Sequence, residues 1–219
     1  MPKKSRTYNF TSRKKSFGNY WLVYSNKTGE ILKLISDREV AHWILNLEFN
    51  PNVQTFKVDD FSSDILIDGL SSEIKYRVLA QYTCGLEYQF ISVVKGDAAK
   101  SREKSIDAAL WRAKHIKFRH ISDEELVPRR HHAFPLLRLS AFLTASKDQF
   151  ISPGLVDSVN TYLRKMRRGT LAKYLADMGD FSKSTLMLQL YRLYNSGAIT
   201  LIFDETPFMY SSYWELSHE

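Results

Sequence analysis

The sequence predicts an α/β fold, a mixed sheet flanked by helices and followed by a smaller, mainly helical unit. Three observations carry this. The runs IKYRVLAQY (74–82) and LEYQFISVV (86–94) are β-type stretches joined by Thr83-Cys84-Gly85, a short loop containing glycine. Helical periodicity frames that pair, over residues 37–47 before it and 97–114 after it. From about residue 134 the texture changes to a succession of helices that ends in two strand-like runs.

Taken in order, residues 1–18 form a basic arm, with Lys3, Lys4, Arg6, Arg13, Lys14 and Lys15 and no acid in the first fifteen positions. NYWLVYSN and EILKLIS are short strands around the turn Asn26-Lys27-Thr28-Gly29. Ser36 stands three residues before Glu39, a capping-box pattern, so a helix is expected at about 37–47 with Val40, Trp43, Ile44 and Leu47 on its apolar side. The triplet NPN (50–52) stops it. Residues 53–58 alternate as a strand and DILIDG is read as another short one. The hairpin follows, and then a helix over 97–114 with Ile106, Ala109, Leu110 and Ala113 on one face. IKFRHIS (116–122) returns as a strand. Beyond it, FPLLRLSAFLTAS reads as a helix leading out of the core, and 152–166, 169–179 and 182–197 as three more helices, the first behind a Ser-Pro start and the last stopped by Gly197. Three helices followed by a β-ribbon resembles the winged-helix order, in which the third helix enters the DNA major groove. The expected organisation is a basic arm (1–18), a core (19–133), a linker helix (134–150) and a winged-helix-like domain (151–219).

Composition narrows the function. With 44% hydrophobic and 13% aromatic residues the chain folds around a core. A single cysteine, Cys84, rules out an internal disulfide and a cysteine-based zinc site, and fits a reducing, cytoplasmic setting. No apolar run reaches membrane-spanning length and no secretory leader is recognisable, so no membrane partner is expected. The 31 Lys+Arg outnumber the 24 Asp+Glu, for a net charge of +7. Two clusters join the arm, one at Arg129, Arg130, His131 and His132, the other at Arg164, Lys165, Arg167 and Arg168. Such clusters point to a phosphate-bearing partner, here double-stranded DNA, with Arg129, Arg130, Arg164, Lys165, Arg167, Arg168 and Lys183 as candidate contacts.

Metal-dependent phosphodiester cleavage needs two or three acidic oxygens around a hard cation and a basic group beside them. Glu39 on the first helix and Lys95 at the end of the second hairpin strand are candidates for such a site. Together with SDREVAHWILNLEFNPNVQTF, SVVKG, FRHISDEEL and LYRLYNSGAITLIFDETPF, they make the chain resemble the TnsA-type transposon endonuclease subunits. Those belong to the restriction-endonuclease-like PD-(D/E)XK nucleases, and the resemblance covers roughly residues 20–216. It implies a restriction-endonuclease-like sheet, Mg²⁺ as cofactor if the site is active, and a DDE transposase subunit and an AAA+ regulator as partners at transposon ends.

The departures decide the expected activity. Where the family has its metal-binding Asp, near Tyr76-Arg77-Val78, no acid stands and Arg77 has the opposite charge. Two residues before the lysine is Val93. Only Glu39 and Lys95 carry over, and one carboxylate holds Mg²⁺ poorly. The expectation is a DNA-binding subunit of a transposition machinery whose nuclease core is inactive, Lys95 being a remnant, with no cofactor. The alternatives are an active Mg²⁺-dependent endonuclease completed by Asp68 or Glu73, and a phage or mobile-element structural protein reusing the fold. His131-His132 reads as a surface or phosphate-contacting pair before a metal site. Cys84 has no apparent catalytic partner, and Tyr210, Tyr213 and Trp214 read as core of the terminal strands.

Overall fold

The structure is a computed structural model that describes residues 19–67, 69–91, 97–202 and 210–217. The basic arm, Asp68, and the strand end carrying Val93 and Lys95 lie outside the described residues. The chain is mixed α/β and divides into two compact units. Of the described residues, one comprises 19–48 together with Asn52–Arg130, and the other runs from His131 onward together with Phe49–Pro51.

The N-terminal unit opens with a two-stranded ribbon, β1 (Trp21–Tyr24) and β2 (Ile31–Leu34). Helix α1 (Asp37–His42) starts where the capping pattern puts it, with the Ser36 hydroxyl accepting from the Glu39 N–H at 3.1 Å. The helix does not run on as α to residue 47. Trp43–Leu47 widens into a π-helical turn, closed by Glu48 N–H donating to the Trp43 carbonyl at 2.9 Å. The four-stranded sheet has the order β3-β4-β5-β6, with β3 (Val53–Ile67), β4 (Leu70–Tyr82), β5 (Gly85–Ile91) and β6 (Lys117–Ile121). The first three are antiparallel and β6 joins β5 in parallel, the crossover being α2 (Asp97–Lys114). The expected hairpin strands are therefore the two central ones. Tyr82 pairs with Gly85, so the turn is the two residues Thr83 and Cys84, with Gly85 at φ +133°.

Two sequence expectations change here. VQTFKV and DILI are not separate strands but the two ends of β3, a single 15-residue strand. Ala113 is exposed, while Ile106 and Leu110 pack into a cluster with Ile65, Ile74, Tyr76, Tyr88, Ile116 and Phe118 on the α2 side of the sheet. The Tyr76 and Tyr88 rings stack at 3.9 Å. Val40, Ala41, Trp43, Ile44 and Leu47 are buried on α1 and its π turn.

The short helix α3 (Asp123–Leu126) follows β6. In the C-terminal unit, α4 (Ala133–Ala145) packs against α7 (Lys183–Asn195), with Phe142 edge-on to Tyr191 at 5.6 Å. Residues 134–145 thus belong to this unit's own core. Between them in sequence lie α5 (Pro153–Met166), the short strand β7 (Arg168–Thr170) and α6 (Leu171–Asp177). Ser152 caps α5 and Thr170 caps α6. Strands β8 (Ile199–Ile202) and β9 (Tyr213–Leu216) complete a small sheet of order β7-β9-β8. Trp214 is fully buried beneath it, beside Gly169, where an added Cβ would come within 3.3 Å of the indole.

Candidate functional site

The sequence places Glu39 at the first turn of α1 and Arg77 in the middle of β4, and the fold brings them together. Glu39 accepts two hydrogen bonds from the guanidinium, from Nε at 2.9 Å and from Nη2 at 3.3 Å, and a third from the Ile35 N–H at 2.8 Å. The remaining nitrogen, Nη1, donates to Asp60 Oδ1 at 2.7 Å. A β-bulge aims Asp60 at this point. Val58 pairs with Val78 and Phe61 with Tyr76, so Asp59 and Asp60 together face the single residue Arg77. The result is one guanidinium clamped between two carboxylates, Glu39 inside with 5% of its side chain exposed and Asp60 outside with 86%. Burial works against the Arg77 charge, but the hydrogen bonds and charges of Glu39 and then Asp60 outweigh it and raise its pKa.

This geometry bears directly on a divalent ion. The two carboxylates supply hard oxygen donors, but their common focus is filled by a fixed organic cation that is always protonated. Glu73, an expected substitute acid, is exposed and faces Lys75 at 3.8 Å, four strand positions from Arg77 and so about 13 Å along the strand. Among the described residues, no three His, Cys, Asp or Glu side chains converge where a metal ion could be held. The donor set does not fit Mg²⁺. Lys95 and Asp68 lie outside the described residues.

One turn further along α1, His42 enters a second buried network. Its Nε2 lies 2.7 Å from Gln89 Oε1 on β5, and its Nδ1 lies 3.0 Å from Asn46 Nδ2. The amide of Gln89 donates to the Tyr82 hydroxyl at 2.9 Å and to Glu87 Oε1 at 2.6 Å. Because the glutamine oxygen can only accept and the asparagine amide can only donate, the imidazole is neutral with its proton on Nε2. Burial drives the His42 pKa down to about 4, against the Gln89 hydrogen bond and with help from the Arg119 charge. Glu48 is likewise enclosed, accepting from Ser25 Oγ at 2.6 Å, Asn26 N–H at 2.7 Å and Trp43 Nε1 at 3.0 Å. Both networks are saturated with internal partners and read as structure.

The basic clusters separate by their partners. Arg129 spends its guanidinium on Asn46 Oδ1 and the Leu45 carbonyl, both at 2.8 Å, where it finishes the π turn. Arg130 is half-buried, and His131 and His132 pack ring against ring at 4.0 Å. Arg164, Lys165, Arg167 and Arg168 are all exposed, and none makes an ion pair with a described acid. Lys183 is exposed at the first position of α7. Ser184 beside it is exposed and Thr185 and Met187 are half-buried, whereas the middle of the helix is closed in. Leu188, Gln189, Leu190 and Tyr191 are all buried, and four successive residues span the whole circumference of an α-helix. On one side α4 and α7 border a cavity of about 460 Å³ with Leu139, Phe142, Met187 and Tyr191 in its walls. On another, the Tyr174 hydroxyl donates to the Leu186 carbonyl at 3.1 Å. Arg192 is used to hold the α4–α5 loop through the carbonyls of Ser146, Lys147 and Gln149. Of the terminal aromatics, Trp214 is core as expected, whereas Tyr210 and Tyr213 are exposed.

The charge of Arg77 is plain in the sequence, but its bond to Glu39 is not, nor are the places of Asp60, Gln89 and Glu48 in these networks. Paired acids in mid-strand (Asp59-Asp60) and a polar residue in an apolar strand (Gln89) were the available signals for a bulge and a buried network. No protein-family model and no curated protein matches the chain.

Proposed function

We propose that the chain is a DNA-binding subunit of a mobile-element machinery, with a restriction-endonuclease-like N-terminal unit that does not cut and a winged-helix-like C-terminal unit. The observation that carries this is the Glu39–Arg77–Asp60 clamp, in which an arginine stands where a nuclease of this architecture needs a metal ion. The guanidinium neutralises the carboxylates that would otherwise attract the ion, so the sheet keeps its shape without its chemistry. The helix and strand order of the C-terminal unit, α5-β7-α6-α7-β8-β9, supports the winged-helix reading. Four exposed cations within five positions supply the phosphate-binding charge. The TnsA resemblance adds a DDE transposase subunit and an AAA+ regulator as the partners of this proposal.

The experiment is duplex binding across a salt series, with and without the substitution of Arg164, Lys165, Arg167 and Arg168 by Ala together. The parent chain binds with a steep salt dependence, and the quadruple variant binds more weakly with a slope smaller by about 2–4. An unchanged slope in the quadruple variant contradicts the proposal.

A further inference from the structure

The middle of α7 has no free face, so the surface by which the C-terminal unit meets a nucleic acid has to be sought elsewhere. Among the described residues, the outer side of the β7-β9-β8 sheet is an open surface. Cross-strand pairing puts Arg168 beside Glu215 and Glu215 beside Thr200 in one row, and Thr170 beside Tyr213 and Tyr213 beside Ile202 in the next. Paired residues share a face. Arg168, Thr200, Ile202, Tyr213 and Glu215 are exposed, with Tyr213 at 56% in the central strand, while Gly169, Trp214 and Leu201 point the other way into the core. The end of α5 runs directly into β7, and Arg164, Lys165 and Arg167 there are exposed. Glu215 is the face's single described acid.

Arg167 carries a second, independent mark. It sits after the last turn of α5 at φ +64°, ψ −39°, a backbone region that glycine occupies freely and residues with a Cβ avoid. Two hydrogen bonds pin it there, its own N–H donating to the Leu163 carbonyl and its carbonyl accepting from the Leu216 N–H, both at 2.8 Å. Glycine is the residue such a helix end favours. An arginine held in a glycine conformation, with no described partner for its side chain, is there for what the side chain does.

We infer that the C-terminal unit contacts duplex DNA through the outer face of β7-β9-β8 and the adjoining end of α5, with Arg167 and Arg168 on backbone phosphates and Tyr213 against the sugars, and not through the buried middle of α7. This rests on the DNA-binding reading proposed above and assigns it a surface. Charge selects the occupant: among the described residues a polyanion matches four cations set against one carboxylate, and a three-stranded face offers room for a duplex backbone.

The test uses the full chain, a fluorescently labelled duplex and anisotropy at about 100 mM salt. Arg167→Gly, Arg168→Ala, Tyr213→Ala and Glu215→Gln are compared with Lys183→Ala at the exposed start of α7, a contact the sequence suggests and this inference excludes, with circular dichroism and melting confirming each fold. Arg167→Gly relieves the backbone, so its Tm is no lower than the parent's, yet affinity falls about fivefold or more and the salt slope drops by about 1. Arg168→Ala behaves alike in binding. Tyr213→Ala weakens binding with an unchanged slope, Glu215→Gln strengthens it, and Lys183→Ala stays within twofold. Should Arg167→Gly fail to fold, Arg168→Ala and Tyr213→Ala decide. The inference is overturned if the Arg167, Arg168 and Tyr213 variants bind duplex within twofold of the parent, or if Lys183→Ala alone causes the loss. A parent chain that binds no duplex at all refutes the DNA-binding reading itself, a different result from an unaffected face.

Discussion

Replacing Arg77 by Met tests how the N-terminal unit holds together at its most charged point. The substitution keeps most of the side-chain volume and removes the guanidinium. Glu39 then retains one described donor, the Ile35 N–H at 2.8 Å, with its carboxylate still 5% exposed. Breaking a buried pair by taking away one partner costs about 3–5 kcal/mol, because the other charge is left without compensation. The bond to Asp60 adds at most about 1 kcal/mol, since that carboxylate is 86% exposed and water replaces the lost partner. Arg77→Met is therefore expected to lose about 3–5 kcal/mol in urea denaturation, seen as a lower midpoint at constant slope. Glu39→Leu combined with Arg77→Met removes both charges and recovers most of that loss, giving a coupling above about 2 kcal/mol. Arg77→Ala, which also opens space between Glu39 and Asp60, regains stability when Mg²⁺ or Mn²⁺ is added, by about 1.4 kcal/mol at tenfold over the dissociation constant, while the parent does not respond. A loss below about 1 kcal/mol for Arg77→Met, with no coupling to Glu39, refutes the reasoning.

The remaining predictions concern the two saturated networks. His42 has a folded pKa of about 4 against 6.5 in the unfolded chain, so the unfolded state binds the extra proton; its contribution is complete above pH 6.5 and is lost as the pH falls towards 4. The difference is worth about 3 kcal/mol, and a series of denaturation curves from pH 7 to 4 shows it as a slope that His42→Gln flattens. Glu48→Ala strands four donors, Ser25 Oγ, the Asn26 and Lys27 N–H groups and Trp43 Nε1, and is expected to lower stability by about 3 kcal/mol or more in the same assay.

What the sequence disclosed and what it hid follow from the range of the forces involved. The β4-β5 hairpin and α2 were legible because glycine at a tight turn and apolar residues at helical spacing are local signals. Strand β3 was read as two pieces, since Asp59, Asp60, Ser62, Ser63 and Asp64 have poor strand propensity and only the ladder to β4 holds them extended. The π turn at Trp43 escaped because periodicity does not register one inserted residue. Its supports, the Trp43 bond to Glu48 and the Arg129 bond to the Leu45 carbonyl, are contacts of the folded chain, the second spanning 84 positions. Strand β7, three residues long, has no pattern of its own and exists because β9 pairs with it. Glu39 was legible as a candidate by its place on the first helix, and Arg77 as an anomaly of charge. Their bond joins residues 38 positions apart, and the bulge that brings in Asp60 is a property of the sheet.

The proposal stands on Arg77 occupying the place between Glu39 and Asp60 that a metal ion would take in a nuclease of this kind. The most direct measurement is nicking of supercoiled plasmid by the parent chain in Mg²⁺ and in Mn²⁺, alongside duplex binding by the same preparation in a chelating buffer. Binding without any divalent ion is expected, with no conversion of supercoiled to open-circular plasmid in either metal. Metal-dependent nicking that disappears in both Glu39→Ala and Lys95→Ala would contradict it.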